Sequence, residues 1–476
     1  MHTTIKSRRK NLHETTESRR KNLRKIIKKC IIYKERVMEM LKRKITQTLI
    51  DWKNEENKQC LLIRGARQVG KTFIIEQFCK DNYESYIYIN FDLTPTLKDI
   101  FNGNLDADTL IMKLEVTFPE IEIKPGKTIL FLDEIQSCPN ARVALKSFAL
   151  DSRIDVIASG SLLGLYYKEI TSYPVGYERI VDMYPLDFEE FLWANGIKEN
   201  VIAEAKKSFE NKAPMDEYIL KQLEKQFKMF LLVGGMPRIV DEYVKEKSLG
   251  KVMTLQKSII EGYKLDVVKY AETNIRQKVL NTFDSIPVQL SQKNKKFSYV
   301  NILEDEKNVG ERKYSTSVEW LKNAGIINFC YNLSEPAAPL KSNLRIDCFK
   351  IYVRDTGLLM SMYETGIQKS ILDDDLYVNE GAILENVCAE EIRTRYNDIM
   401  YYEKKSQLEI DFILNIDGVV TALEVKSGNN KQAKSLNSMV NNYKTVTRYI
   451  KLEKDTNIYV DDLGIEHYPL FMIMFI

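Results

Sequence analysis

Short apolar segments recur along the first third of the chain, and longer amphipathic stretches separate them. Four of these segments have the composition of buried strands: CLLIRG (60–65), YIYINF (86–91), TILFLDE (128–134) and DVIASG (155–160). Continuous apolar runs of this length are typical of strands that are covered on both faces. Because helical patterns lie between them, we predict an α/β fold built on a mostly parallel sheet.

The pattern changes further along the chain. From about residue 197 to 291 it is helical and highly charged, interrupted by GGMP. Residues 296–335 predict a helix, a second helix and a hairpin, and later strands are expected at IMYYEKK, EIDFILNI and VVTALEVKSG. These changes predict five segments, which are 1–39, 40–196, 197–291, 292–344 and 345–476.

Charge is distributed unevenly. The net charge is +3, but residues 1–44 carry 16 Lys/Arg against 4 Asp/Glu, and TTIKSRRKNL is repeated there as TTESRRKNL. One interpretation of this basic head is binding to nucleic acid or anionic lipid. The other is a disordered extension, translated upstream of a start at Met38 or Met40.

The composition excludes several classes of protein. Hydrophobic residues make up 44% of the chain and charged residues 29%, as in ordinary globular proteins. No apolar run approaches the ~20 residues that span a bilayer. The seven cysteines form no C-x-x-C pair, and the three histidines have no zinc-site spacing. We therefore predict a cytoplasmic protein with reduced cysteines, no zinc site and no membrane partner.

A phosphate-binding motif follows the first strand. GARQVGKT matches G-x-x-x-x-G-K-[ST] and precedes the helical stretch TFIIEQFC. In this context backbone N–H groups and the helix N-terminus bind phosphate, the lysine reaches the β- and γ-phosphates, and the threonine hydroxyl binds Mg²⁺. The predicted ATP-binding residues are Gly65, Ala66, Arg67, Gln68, Val69, Gly70, Lys71 and Thr72.

The strand ILFLDE supplies two carboxylates about 60 residues later. Its carboxyl end is where ligands gather in parallel sheets. We expect Asp133 to hold Mg²⁺ through water and Glu134 to polarise the attacking water, which favours ATP hydrolysis over transfer to a small substrate. The predicted cofactors are ATP and Mg²⁺.

GARQVGKT, FLDEIQ, SGS, YPLDFEEFL and GGMPR, followed by LEN, EIDF and LEVKSG, resemble one family of bacterial and archaeal AAA-type P-loop ATPases. The C-terminal half of that family is a domain of unassigned function. The resemblance covers the chain from about residue 40 onward. It implies an ATPase core (40–196), a helical lid (197–291), a winged-helix-like module (292–344) and an endonuclease-like α/β domain (345–476).

The resemblance also implies roles for single residues. Ser159 and Ser161 are candidates for the polar sensor of the γ-phosphate, and Arg238 for an arginine that reads this phosphate from the lid. The family commonly has a basic residue after PVG, where this chain has Tyr177. Arg179 is then the candidate for stabilising transition-state charge, within the chain or from a neighbour.

The middle module leaves two interpretations open. A winged helix often places one helix in a major groove of DNA. Basic side chains that would meet phosphates are Lys293, Lys295, Lys296, Arg312 and Lys313. In the other interpretation the module only joins the ATPase to the C-terminal domain.

The C-terminal stretch ALEVKSG raises the question of a nuclease. Endonuclease-like folds place an acidic residue on an early helix, an aspartate on one strand and E-x-K on the next. The matching positions are Glu385, Asp411, Glu424 and Lys426, with Glu409 as a substitute for Asp411. Two carboxylates that converge at one end of a sheet would form a Mg²⁺ site. Charged pairs on strand faces are common, so a fold without cleavage activity is the alternative.

The sequence therefore leaves two alternative functions, which belong to different classes. The first is an ATP-hydrolysing switch or motor coupled to a nuclease-like domain, with DNA as a partner. The second is a regulatory protein that hydrolyses ATP slowly and whose C-terminal fold is an inert platform for a protein partner or a second copy of the chain.

Overall fold

The fold is that of a computed structural model, which describes residues 41–162, 174–292, 295–302, 310–364, 366–373, 380–404, 408–427 and 434–476. The predicted basic extension, residues 1–39, lies outside the described residues. Lys293 and Gly428 also lie outside them.

Five parallel strands form the first sheet, in the spatial order β2-β3-β4-β1-β5. This confirms the predicted α/β fold with a parallel sheet. Four of the strands coincide closely with the four apolar segments of the sequence. The strands are β1 (Cys60–Gly65), β2 (Ser85–Asn90), β3 (Thr128–Asp133), β4 (Asp155–Ser161) and β5 (Glu178–Met183).

Successive side chains of these strands enter two separate cores, because side chains alternate between the faces of a strand. In β1, Leu62 joins one apolar cluster, whereas Leu61 and Ile63 join the other. Both faces are covered by helices, so the strands are apolar throughout. Helices α1 (Ile45–Lys53) and α2 (Lys71–Asn82) cover one face, and α3 (Ala107–Thr117) and α4 (Pro139–Asp151) cover the other.

Six helices follow the sheet, and the last five lie within residues 197–291, where the sequence pattern is helical and charged. The first begins at a capping box, in which the Asp187 side chain accepts from the Glu190 backbone N–H and Glu190 returns the bond. The helices are α5 (Phe188–Ala194), α6 (Glu199–Asn211), α7 (Glu217–Val233), α8 (Pro237–Glu246), α9 (Leu249–Tyr270) and α10 (Arg276–Leu290).

A second sheet joins the middle of the chain to its C-terminal part. Its order is β7-β6-β8-β9, with β6 antiparallel to β7 and parallel to β8. The predicted boundary between residues 344 and 345 therefore needs correction, because it lies inside one hydrogen-bonded sheet. The elements are α11 (Glu311–Asn323), β6 (Ile327–Leu333), β7 (Leu344–Val353), α12 (Thr356–Met362), α13 (Ile367–Leu372), α14 (Glu380–Arg395), β8 (Ile399–Lys404) and β9 (Leu408–Ile410). Before α11, the described part of the predicted first helix is a single 3₁₀ turn, Tyr299–Ile302.

The third sheet has the order β10-β11-β12-β14-β13. Its first two strands form the predicted hairpin, whose turn residues Asp417 and Gly418 have φ angles of 50° and 88°. Strands β11, β12 and β14 are parallel. The elements are β10 (Phe412–Ile416), β11 (Val419–Lys426), α15 (Lys434–Asn442), β12 (Arg448–Glu453), β13 (Tyr459–Val460) and β14 (Glu466–Pro469).

In the part of the chain that the structure describes, no helix combines the length and the apolar character needed to cross a bilayer.

Candidate functional site

The phosphate loop lies at the carboxyl end of β1, directly before α2. A Cβ atom at Gly65 would come within 2.3 Å of the Met183 carbonyl oxygen, so only glycine fits beside β5. Gly70 has a φ of 91°, which L side chains rarely adopt, and it forms the N-cap of α2. The predicted strand, loop and helix are thus present in the required order.

Lys71 lies over this loop. Its ammonium donates to the carbonyl oxygens of Gly65 at 3.1 Å and Ala66 at 2.9 Å. The side chain is buried, and burial lowers the pKa of Lys71 to about 8, although the carboxylates of Glu134 and Asp133 oppose this shift. The ammonium is therefore placed beside the loop and is readily neutralised as the pH rises.

Asp133 ends β3 and is buried beside the loop. Its Oδ2 atom accepts from the Thr72 hydroxyl at 3.0 Å, the Tyr88 hydroxyl at 3.0 Å and the Asn90 amide at 2.9 Å. The Ser159 hydroxyl donates to Oδ1. The structure thus brings together the predicted pair Thr72 and Asp133, and it adds two residues of β2 that sequence reasoning missed. The available signal was the position of Asn90, one residue before the carboxyl end of the predicted strand YIYINF.

Glu134 follows with a φ of 54°, in the left-handed region that few non-glycine residues adopt. Gln136 donates through Nε2 to the Glu134 carboxylate, and the same nitrogen lies 3.5 Å from the Ser161 hydroxyl. The two sensor candidates therefore make different contacts. Ser159 contacts the predicted metal ligand, and Ser161 approaches the predicted catalytic glutamate through Gln136.

The two candidate arginines lie in very different places. Arg179 pairs with Leu61 in the sheet register, at the opposite end of β1 from Gly65, and forms an ion pair with Glu55 at 2.8 Å. Four residues of strand amount to about 13 Å. This corrects the prediction that Arg179 acts on phosphate within its own chain. Arg238 is exposed in the first turn of α8, directly after Pro237, whose ring lies against Gly70.

A cleft of about 280 Å³ adjoins the loop. Arg43 joins the two, because its guanidinium donates to the Val69 carbonyl oxygen at 3.2 Å and to the Tyr184 carbonyl oxygen at 2.7 Å. The cleft is lined by side chains from three parts of the chain, and α14 contributes the last two. The residues are Arg43, Lys44, Ile45, Thr48, Val181, Asp182, Met183, Tyr184, Pro185, Asp187, Glu190, Thr394 and Arg395.

Comparison with known families agrees with this geometry. Residues 57–192 match a family described as an AAA domain. This range contains the phosphate loop, Asp133 and Glu134. The chain contains an AAA-type P-loop domain. Two further stretches match families described as domains of unknown function, DUF8612 over residues 224–370 and DUF4143 over residues 380–471.

Individual relatives add little beyond the AAA domain. An uncharacterized protein of Methanocaldococcus jannaschii is 25% identical over 403 residues, which is 82% of this chain and 80% of that protein. Two solved structures are each 12% identical with a TM-score of 0.27. One, the ORC1 protein of Aeropyrum pernix in complex with DNA, covers 71% of this chain and 92% of its own. The other, AMPPCP-bound DnaA from Aquifex aeolicus, covers 58% and 85%. Structural similarity at this level supports no argument about function.

The C-terminal candidate residues lie near one another, and lysine side chains form ion pairs with their carboxylates. Glu385 on α14 pairs with Lys295 at 2.5 Å and with Lys350 at 3.4 Å, and it accepts from the Tyr352 hydroxyl at 3.0 Å. Lys350 is fully buried in β7 and also pairs with Glu409 at 2.7 Å. Burial opposes ionisation of Glu385, but the two lysines hold its pKa at about 2.

The strand residues complete this carboxylate–lysine cluster, which consists of Lys295, Lys350, Glu385, Glu409, Asp411, Glu424 and Lys426. Asp411 accepts from the Val425 backbone N–H at 2.8 Å, and Lys426 forms an ion pair with Glu424. Burial, with the nearby charge of Glu385, raises the pKa of Asp411 to about 7. Four carboxylates and three ammonium groups leave one formal negative charge. Within the described ranges, no group of three or more His, Cys, Asp or Glu residues is arranged to hold a metal ion.

Two of the basic residues expected to meet DNA phosphates form ion pairs with buried carboxylates. Lys295 is in the cluster, and Lys296 pairs with the buried Glu403 at 2.6 Å. These ion pairs engage both ammonium groups within the chain, and the predicted DNA contact of the two lysines stays a prediction. Arg312 and Lys313 are exposed at the start of α11, where the prediction is untested.

Proposed function

We propose that the protein is a Mg²⁺-dependent ATP hydrolase that acts as a switch on its own C-terminal half. The observation that carries this proposal is the contact between Thr72 and Asp133, with Glu134 directly after it. Lys71 beside the loop supplies the cation that triphosphate binding requires. Glu134, oriented by Gln136, is the residue that would take a proton from the attacking water.

The residues fit a magnesium ion chemically. Thr72 and Asp133 offer a hydroxyl and a carboxylate oxygen, the ligand types that Mg²⁺ prefers. When bound, the ion would neutralise charge on the β- and γ-phosphates. The other donors to Asp133, which are Tyr88, Asn90 and Ser159, would keep its carboxylate oriented.

The cleft beside Val69 is the proposed site of the nucleotide base. Because Arg43 joins the loop backbone to the cleft wall, phosphate and base would be held by one continuous surface. Thr394 and Arg395 place the end of α14 in that wall, and the same helix carries Glu385. A base in the cleft would therefore contact the helix that supports the C-terminal carboxylate–lysine cluster.

One observation favours the second function, an inert C-terminal platform. Lys350 is fully buried among Glu385 and Glu409, in a position from which its ammonium neutralises carboxylates that a divalent ion would need. DNA, a protein partner and a second copy of this chain are all compatible with such a platform. Cleavage of labelled single- and double-stranded DNA with Mg²⁺ or Mn²⁺, with and without ATP, separates the two functions. Cutting that Asp411→Asn abolishes would establish the nuclease, and intact DNA with continuing ATP turnover would establish the platform.

Phosphate release tests the ATPase itself. Wild-type protein should release phosphate from ATP only with Mg²⁺, and Lys71→Ala should lose both binding and release. Lys80→Ala is the matched control, because Lys80 lies on the same helix in an exposed pair with Glu76. ATP affinity that survives in Lys71→Ala would overturn the proposal.

A further inference from the structure

The phosphate loop is bound by a helix of the following helical segment. One face of α9 meets it, with Tyr263, Asp266 and Tyr270 spaced by three and four residues. The Arg67 guanidinium forms an ion pair with Asp266 at 2.5 Å and donates to the Tyr270 hydroxyl at 3.0 Å. The Tyr263 hydroxyl donates to the Arg67 carbonyl oxygen at 3.5 Å. Arg67 is thus held at both its backbone and its side chain.

The pair of Arg67 and Asp266 lies beside Lys71 at the phosphate loop, because Arg67 directly follows Ala66, whose carbonyl oxygen accepts from the Lys71 ammonium at 2.9 Å. Burial and the negative charge of Glu134 both raise the pKa of the Asp266 carboxyl. Burial and the positive charge of Arg67 both lower the pKa of the Lys71 ammonium. Both groups therefore interact electrostatically with Lys71 or Glu134, the residues expected to flank the terminal phosphate.

We propose that Arg67 is a positioning and charge-stabilising residue for the terminal phosphate of ATP, and that Asp266 holds this arginine when that phosphate is absent. The inference rests on the proposed ATP hydrolysis and adds a way to distinguish ATP from ADP. It also supplies, from inside the loop, the arginine that Arg179 is too distant to provide.

Asp266 and the terminal phosphate would compete for the guanidinium of Arg67. A guanidinium binds a phosphate group with the same two-pronged geometry as a carboxylate, and phosphate carries more charge and more acceptor atoms. Asp266 is buried, so its negative charge is little screened and would also repel the terminal phosphate. ATP must therefore displace Asp266 from Arg67, whereas ADP leaves the pair intact.

The displacement would be transmitted along α9. This helix ends at Tyr270, and Arg276 at the start of α10 donates to the Ala271 carbonyl oxygen at 2.9 Å. Helix α10 in turn packs against α11 and β7. Breaking the contact between Arg67 and Asp266 would thus remove one of the bonds by which α9 is held to the phosphate loop.

The test is the affinity of each variant for fluorescent ATP and ADP analogues. Asp266→Asn should bind ATP about tenfold more tightly than wild type, with ADP affinity changed by less than about twofold. Asp284→Asn is the matched control, because it removes one charge from an exposed ion pair between α9 and α10, with Lys264 at 3.1 Å, away from the loop. Arg67→Ala should lose the preference for ATP and lower kcat more than it raises KM. In Arg67→Ala/Asp266→Asn, the Asp266 substitution should add little.

Each outcome decides one claim. If Asp266→Asn changed the affinities for ATP and ADP equally, the role of Asp266 would be overturned. The same would follow if Asp284→Asn changed ATP affinity as much as Asp266→Asn does. An unaltered ATP preference in Arg67→Ala would overturn the role of Arg67. Wild-type protein that binds neither nucleotide would instead refute the proposed function, so the two failures are distinguishable.

Discussion

The hydroxyl of Thr72 donates to the carboxylate of Asp133 over 3.0 Å, although 61 residues separate them in sequence. If both oxygens serve one magnesium ion, Thr72→Val should lower Mg²⁺-dependent phosphate release by about 100-fold and leave Mg²⁺-independent nucleotide binding nearly unchanged. Thr72→Ser retains the hydroxyl and should retain most of the activity. Equal activity in Thr72→Val and wild type would remove Thr72 from the metal site.

Glu134 should matter for hydrolysis and not for binding. Because the Glu134→Gln amide is a poor proton acceptor, ATP should stay bound while turnover falls by about 100- to 1000-fold. Rapid filtration of labelled ATP, with phosphate release in parallel, measures both quantities. The control Glu122→Gln changes an exposed carboxylate, where neither quantity should move. Undiminished phosphate release by Glu134→Gln would exclude this role.

Lys350 should be essential to stability. Lys350→Met leaves Glu385 and Glu409 without their buried ammonium, and breaking such a pair typically costs about 3–5 kcal/mol of unfolding free energy. Urea denaturation measures this loss. Lys341→Met, in an exposed pair with Asp398, should leave stability unchanged. The double variant Lys350→Met/Glu385→Gln should recover part of the loss, and a Lys350→Met protein as stable as wild type would contradict the argument.

Asp411 should make stability depend on pH. Its folded-state pKa of about 7 lies above the unfolded value of about 3.9, so the folded state binds the extra proton between these values. Stability from this group is therefore greatest below pH 4 and is lost as the pH rises towards 7.

Asp411→Asn removes that dependence. The variant should be more stable than wild type at pH 8, by on the order of 2 kcal/mol, and the difference should shrink at pH 5. Denaturation at the two pH values measures it. The same difference at both values would show that the aspartate does not titrate in this range.

Much of the first sheet and its phosphate site could be predicted from local sequence. Strand β3, for example, combines a continuous apolar run with two acidic residues at its end. The contacts that decide function in the rest of the chain are not local. Arg67 meets Asp266 across 199 residues, and Lys295 meets Glu385 across 90. Arg67, Lys295 and Glu385 were predicted site residues and Asp266 was not, but neither pairing could be predicted, because such pairs depend on how whole helices and strands are packed.

The burial of Lys350 could not be predicted from local sequence either. A single charged residue within the strand sequence CFKIYV is usually assigned to a solvated face. Here Lys350 is buried, and its ammonium forms ion pairs with Glu385 and Glu409. The structure brings the predicted carboxylates near one another, but Lys350, which pairs with two of them, was not predicted.

The pairing of β6 with β8 joins two sequence families in one sheet, which bears on whether they are inherited together. The matches to the two domains of unknown function meet between residues 370 and 380, so β6 and β7 belong to one and β8 to the other. A gene that encoded either part alone would produce an unpaired strand edge, which promotes aggregation. We therefore expect these two sequence families to occur together, as a single inherited unit, in proteins that share this second sheet.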